Sequence, residues 1–211
     1  MITQVDHLHI WSALKADTFR QYGLFSWRNL VIGALTKKNF GVIVTMRLCQ
    51  IIAHSQKIVR STLPAFQVLH RIAAHNAAID LSWRTEIGPG FAITHGWGLV
   101  INPKTRIGAN VTLFHGVTLG RSDYISPDGV RSTEYPVLED EVWVGPHAII
   151  VGGVTVGEGS RISGGAFVIK SVAPHSMVSG NPSTIVKHNC VPDVMHPAPI
   201  NGRSEKSESE I

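Results

Sequence analysis

Histidine is the side chain whose ordinary pKa lets it exchange protons near neutral pH. In the stretch FAITHGWGLVINPKTRIGANVTLFHGVTLG, residues 91 to 120, two histidines occupy the same phase of a repeating pattern. His95 follows the apolar Ile93 by two positions, and His115 follows Leu113 by two. Placed on one face, two imidazoles can meet a single substrate and move its proton. Whether they share a face depends on the elements that carry them.

Those elements repeat in sixes. Ile87, Phe91, Ile93, Trp97 and Leu99 supply apolar positions at the first and fifth places of six-residue units; after a shift of two residues, Ile101, Ile107, Leu113 and Leu119 resume the count. A later run through Leu138, Val144, Ile150, Val156, Ile162 and Val168 keeps the period without a miss. A repeat this regular predicts a β-helical solenoid, with three units to a coil and coils stacked at ~4.8 Å. His95 to His115 is then one eighteen-residue coil plus the two-residue shift, which predicts that the two rings lie on adjacent coils of one face. RSDYISPDGVRSTEYP, residues 121 to 136, breaks the repeat with turn chemistry at Pro127, Asp128 and Gly129, so a projecting loop is expected there. Before residue 79 the period is helical: Val44, Leu48, Ile51 and Ile52 mark one helix, and AFQVLHRIAAHNAA, beyond Pro64, marks another. The expected organisation is a short helical region over 1–78, a solenoid over 79–188 and a flexible tail over 189–211.

The chain has 211 residues, of which 44% are hydrophobic and 16% charged, a globular composition. Its net charge of +4 is unevenly spread. Residues 18 to 79 contain eight basic side chains (Arg20, Arg28, Lys37, Lys38, Arg47, Lys57, Arg60 and Arg71) and no acidic one, whereas from Leu81 onward ten basic face twelve acidic residues. No nucleic-acid module accompanies the basic stretch, which leaves an anionic membrane surface, an acidic substrate, or a solvated positive face with no partner. Cys49 and Cys190 lack metal or redox spacing and are expected to be reduced. The opening MITQVDHLHIWSALK has no basic start followed by an apolar run, and FGVIVTMRLCQIIAH is too short to span a bilayer, so the cytoplasm is the expected compartment.

IDLSWRTEIGPGFAITHGWGLVI, NVTLFHGVTLG and VSGNPSTIVKHN together resemble the hexapeptide-repeat acyltransferases, in the serine acetyltransferase-like branch. The resemblance covers residues 79 to 188 and implies a left-handed parallel β-helix, a homotrimer, and acetyl-CoA bound between subunits with no metal. It also implies that His95 is the general base and that Asp80, fifteen positions earlier, orients it. Gly120 and Gly145 are expected to offer backbone N–H groups near the thioester, His115 to assist, and Lys170 and Lys187 to meet the cofactor phosphates. The chain departs from serine acetyltransferases where they hold the amino acid: Thr94 replaces an aspartate, and Glu134 and Tyr135 replace an Arg-His pair. Because of these departures and the second histidine, the chain looks closer to the exopolysaccharide acetyltransferases of the colanic acid type. The expected acceptor is accordingly a sugar or lipid-linked glycan hydroxyl, with peripheral contact at an anionic membrane. Serine O-acetylation is the alternative. A further resemblance, to the gamma carbonic anhydrases, would cast His95, His115 and His147 as zinc ligands. A solenoid acting only as a scaffold would need no intact acid–base pair.

Overall fold

The computed structural model describes residues 6 to 199. Five helices come first: α1 (Asp6–Tyr22), α2 (Trp27–Thr36), α3 (Lys38–Ala53), α4 (Lys57–Arg60) and α5 (Leu63–Ala77). Ser26 caps α2, its hydroxyl accepting from Asn29 N–H at 3.0 Å. Pro64 lies in the first turn of α5, where its missing N–H costs nothing, and the helix ends at Ala78 in the left-handed region (φ 52°).

The rest of the chain winds into a three-sided parallel β-helix. One side stacks β1 (Ile79–Leu81), β4 (Leu99–Ile101), β7 (Thr118–Gly120), β12 (Ile149–Val151) and β15 (Phe167–Val168). The second side stacks β2 (Glu86–Ile87), β5 (Arg106–Ile107), β10 (Val137–Leu138) and β13 (Thr155–Val156). The third stacks β3 (Ala92–Thr94), β6 (Thr112–Phe114), β11 (Trp143–Val144), β14 (Arg161–Ile162) and β16 (Met177–Ser179), and closes on the antiparallel β17 (Thr184–Lys187). The residues repeating in sixes form the core: Leu138, Val144, Ile150, Val156, Ile162 and Val168 are all buried. Trp97 departs from the expected inward row. It is 58% exposed at a corner, with the Lys38 ammonium 5.3 Å from its ring.

The helices plug one end of this prism. Val42, Ile43 and Met46 of α3 and Ala74 and Ala77 of α5 join the solenoid core beside Ile79, Leu81 and Ile93. A second cluster, including Leu14, Leu30, Phe40, Val44 and Ile51, holds α1, α2 and α3 to one another. Two of the eight basic residues turn out to be structural. Arg47 pairs with Asp17 at 2.8 Å, both side chains buried, and donates to the carbonyls of Ile87 and Gly88. Arg20 donates to Gly90 O and Thr112 Oγ1.

The segment 121–136 is a projecting β-hairpin, with β8 (Ser122–Ile125) paired to β9 (Arg131–Glu134) around a turn in which Gly129 N–H donates to Ser126 O. Residues 189 to 199, expected to be flexible, lie against the body: Cys190 and Ala198 are buried, and Asn110 exchanges two hydrogen bonds with the Ala198 backbone. Residues 200 to 211 of that expected tail lie outside the described range. Both cysteines are free and buried. Among the described residues, no helix is long and apolar enough to cross a membrane.

Candidate active site

The chain leaves β3 at Thr94 and turns a corner into β4, and His95 forms that corner in the left-handed region (φ 65°). The same conformation recurs at Asn110, Glu141 and His147, so it belongs to the turn of the repeat. Gly96 follows at φ 60°; a Cβ on it would lie 2.5 Å from Asn39 Oδ1 and 2.9 Å from Ile79 Cδ1. Asn39 also donates to Ile93 O at 3.5 Å, so the first turn of α3 is seated directly on the histidine corner.

The two-residue shift acts as the sequence arithmetic requires. β3 pairs with β6 in a register that sets Thr94 opposite Phe114, and the His95 and His115 rings stand edge to face with centroids 5.9 Å apart. A third imidazole continues the column. His147 N–H donates to His115 O at 2.9 Å, and the two rings lie 5.0 Å apart, again edge to face. Gly116 (φ 67°) provides the room, since a side chain there would collide with the His147 ring. His115 Nδ1 is buried without a hydrogen-bond partner. Among the described residues no three His, Cys, Asp or Glu side chains converge as a metal-holding group. The three rings form a column along the stacked coils.

Asp80 projects from the middle of β1, exposed, with Val100 its neighbour on the next coil. It makes no ion pair with His95 among the described contacts. The His95 corner opens on a cavity of about 530 Å³, lined by Thr94, His95 and Trp97 on the solenoid side and by Lys37, Lys38 and Asn39 on the helical side. The helical side was missed from sequence because TKKNF carries no motif; its only signal was a basic pair in an acid-free stretch. A larger cavity of about 1200 Å³, on the face of β2, β5 and β10, is lined by Arg47, Trp83, Glu86 and Arg106 among others, and holds none of the expected site residues.

The remaining expected residues are dispersed. Gly145 is committed elsewhere, because its N–H donates to Ile162 O at 2.8 Å and a Cβ on it would lie 2.7 Å from Gly164 N. It serves close stacking of coils and does not offer a free donor to an oxyanion. Gly120 is paired with Val151 at the end of β7. Lys170 and Lys187 are exposed on the last coils, just past β15 and at the end of β17. Glu134 and Tyr135 stand at the root of the hairpin, across the β4–β7–β12 face from the histidine corner. Glu134 packs against Gly153, and the Tyr135 ring lies 5.2 Å from the Lys104 ammonium.

Residues 135–170 match the family described as bacterial transferase hexapeptide (six repeats). A serine acetyltransferase of Bacillus licheniformis is 33% identical over 151 residues, 69% of this chain and 68% of that protein. One from Helicobacter pylori is 33% identical over 63% of this chain and 74% of its own length. In three dimensions, the soybean serine acetyltransferase apoenzyme superposes with a TM-score of 0.65 at 28% identity, over 85% of this chain and 69% of that one. These relatives overturn the expected kinship with colanic acid type enzymes, and with it the sugar or lipid-linked glycan acceptor and the polysaccharide pathway. The departures expected at Thr94, Glu134 and Tyr135 do not outweigh the similarity of the chain to serine acetyltransferases over about two thirds of its length. Similar to those proteins in sequence over about two thirds of each chain and in fold, the chain is an O-acetyltransferase and belongs to the serine acetyltransferase family of hexapeptide-repeat transferases.

Proposed function

We propose that this chain is a serine O-acetyltransferase, moving an acetyl group from acetyl-CoA to the hydroxyl of L-serine. The observation that carries the reading is the similarity to serine acetyltransferases over about two thirds of each chain. The cavity at His95 supports it, being a concave space beside a proton-accepting side chain.

A serine hydroxyl is a poor nucleophile until a base takes its proton. His95 takes that proton as the oxygen attacks the thioester carbonyl. The carbon–sulfur bond then breaks, the departing thiolate receives the proton from His95, and O-acetylserine and free CoA remain. Asp80 is assigned the role of fixing the tautomer of the ring, and His115 that of a donor beside the base for charge developing on the carbonyl oxygen. With no cysteine at the histidine corner, direct transfer is preferred to an acyl-enzyme.

The acyl donor is acetyl-CoA. From the His95 corner to the coil of Lys170 is three coil steps, about 14 Å at ~4.8 Å each, which suits an extended donor whose phosphates meet Lys170 and Lys187. The working unit is a homotrimer, as is typical of hexapeptide-repeat transferases: His95 and the Glu134–Tyr135 root flank opposite edges of one face, so a neighbouring subunit is needed to complete the groove. Free Cys49 and Cys190 suit a cytoplasmic setting. With serine as the acceptor, the basic helical stretch no longer calls for a lipid surface.

Mass spectrometry of a reaction containing acetyl-CoA, L-serine and a panel of hexoses tests the reading. O-acetylserine should be the acetylated product; acetylated hexose with unmodified serine would overturn it.

A further inference from the structure

An enzyme that acetylates serine must hold its carboxylate, and the residues expected to do so are altered here. Glu134 stands where the resemblance places an arginine, and a negative side chain repels a carboxylate. Within one chain, Glu134 and Tyr135 also lie across the face from His95, engaged with Gly153 and Lys104. Positive charge is nonetheless present at the base, from another element.

Lys37 and Lys38 line the same 530 Å³ cavity as Thr94 and His95. Their ammonium groups rest over aromatic rings, Lys37 at 4.4 Å from the centre of Tyr22 and Lys38 at 5.3 Å from that of Trp97. Neither belongs to an ion pair among the described residues. No acidic residue occurs between positions 18 and 79 to compete for them. Their position relative to the base is fixed, because the next residue, Asn39, bonds Ile93 O and seats against Gly96, the residue following His95. Two cations without an ion-pair partner among the described residues thus border a cavity whose other wall carries the general base.

We propose that Lys37 and Lys38 bind the α-carboxylate of the acceptor and so orient its hydroxyl toward His95. The assignment rests on the serine reading and supplies from α3 the charge lost at Glu134. Cation–carboxylate contacts of this kind act on acceptor binding and leave the donor untouched.

The test uses the full chain with Lys37→Met and Lys38→Met, singly and together, since methionine keeps the apolar stem of these exposed side chains. L-serine and L-serinamide, which lacks the carboxylate charge, serve as acceptors. The double variant should raise KM for serine roughly 10- to 100-fold. It should leave KM for acetyl-CoA and turnover of serinamide within about twofold of the parent. An unchanged serine KM would overturn the assignment, as would a rise confined to the KM for acetyl-CoA, which would give the lysines to the donor phosphates. Failure of the serine reading shows separately, in the parent enzyme alone, as no transfer to serine; success there with unaltered variants removes only the lysine assignment.

Discussion

His70 Nε2 donates to the carbonyl of Leu81 at 2.8 Å, and its Nδ1 meets the Thr45 hydroxyl at 3.0 Å. One buried imidazole thereby ties α5 to α3 and to β1, the strand that carries Asp80. Burial lowers its pKa below the ordinary 6.5, the bond to Leu81 opposing this in part. The folded chain holds the ring neutral, so on acidification the unfolded chain takes up the proton first. Stability from this site is therefore full above about pH 6.5 and lost as pH falls below it. Urea denaturation across that range should show the parent losing stability on acidification more steeply than His70→Gln; equal slopes would contradict this account of His70.

The Asp17–Arg47 pair makes a second prediction. Burial raises the Asp17 carboxyl pKa, while Arg47 and the Phe91 N–H act against that rise. Removing one partner leaves a buried charge uncompensated, so Asp17→Ala should cost about 3–5 kcal/mol of stability. Asp17→Leu combined with Arg47→Met should cost less than either single change. A double variant as damaged as the sum of the two singles, measured by chemical denaturation, would show that the pair is not coupled.

Gly96 and Gly129 test the histidine corner by contrast. Both have positive φ, but a Cβ on Gly96 meets Asn39 and Ile79, whereas at Gly129 nothing lies within 4 Å. Gly129→Ala should therefore cost only the backbone strain, about 1–2 kcal/mol. Gly96→Ala should cost about 1–3 kcal/mol more and reduce turnover, because α3 is displaced from the corner. Equal melting temperatures for the two variants would mean that α3 does not depend on this contact.

Much of the solenoid was legible because a narrow core filters every sixth side chain for apolarity: Leu138 through Val168 repeat without interruption, and all are buried. Trp97 misled because a large aromatic fits the pattern by type, yet at a corner it stacks beneath Lys38 in solvent. The His95–His115 pair was legible from a fixed offset of one coil. His147 entered the sequence reading only with the zinc alternative, and its place on the same column was not legible because the hairpin lengthens the register between β6 and β11 to 31 residues, from Thr112 to Trp143, so that a count of eighteen from His115 passes it by. The hairpin itself has no apolar alternation with a buried face, and nearly all its residues are exposed. Lys37 and Lys38 could not be placed at the site from sequence, because the docking of α3 on the solenoid depends on long-range contacts such as Asn39 to Gly96 and Arg47 to Gly88. The acceptor was misjudged because three altered positions outweighed the similarity of the whole chain.

The central claim, that the His95 corner transfers acetyl groups to serine, is tested most directly by kcat/KM for CoA release with L-serine in the parent and in His95→Asn. Asparagine tolerates the left-handed backbone at this position, so the fold and melting temperature should persist. We expect serine-dependent release in the parent and a fall of ~10²- to 10⁴-fold in the variant. Near-parental turnover by His95→Asn, or CoA release by the parent that ignores serine, would contradict the account.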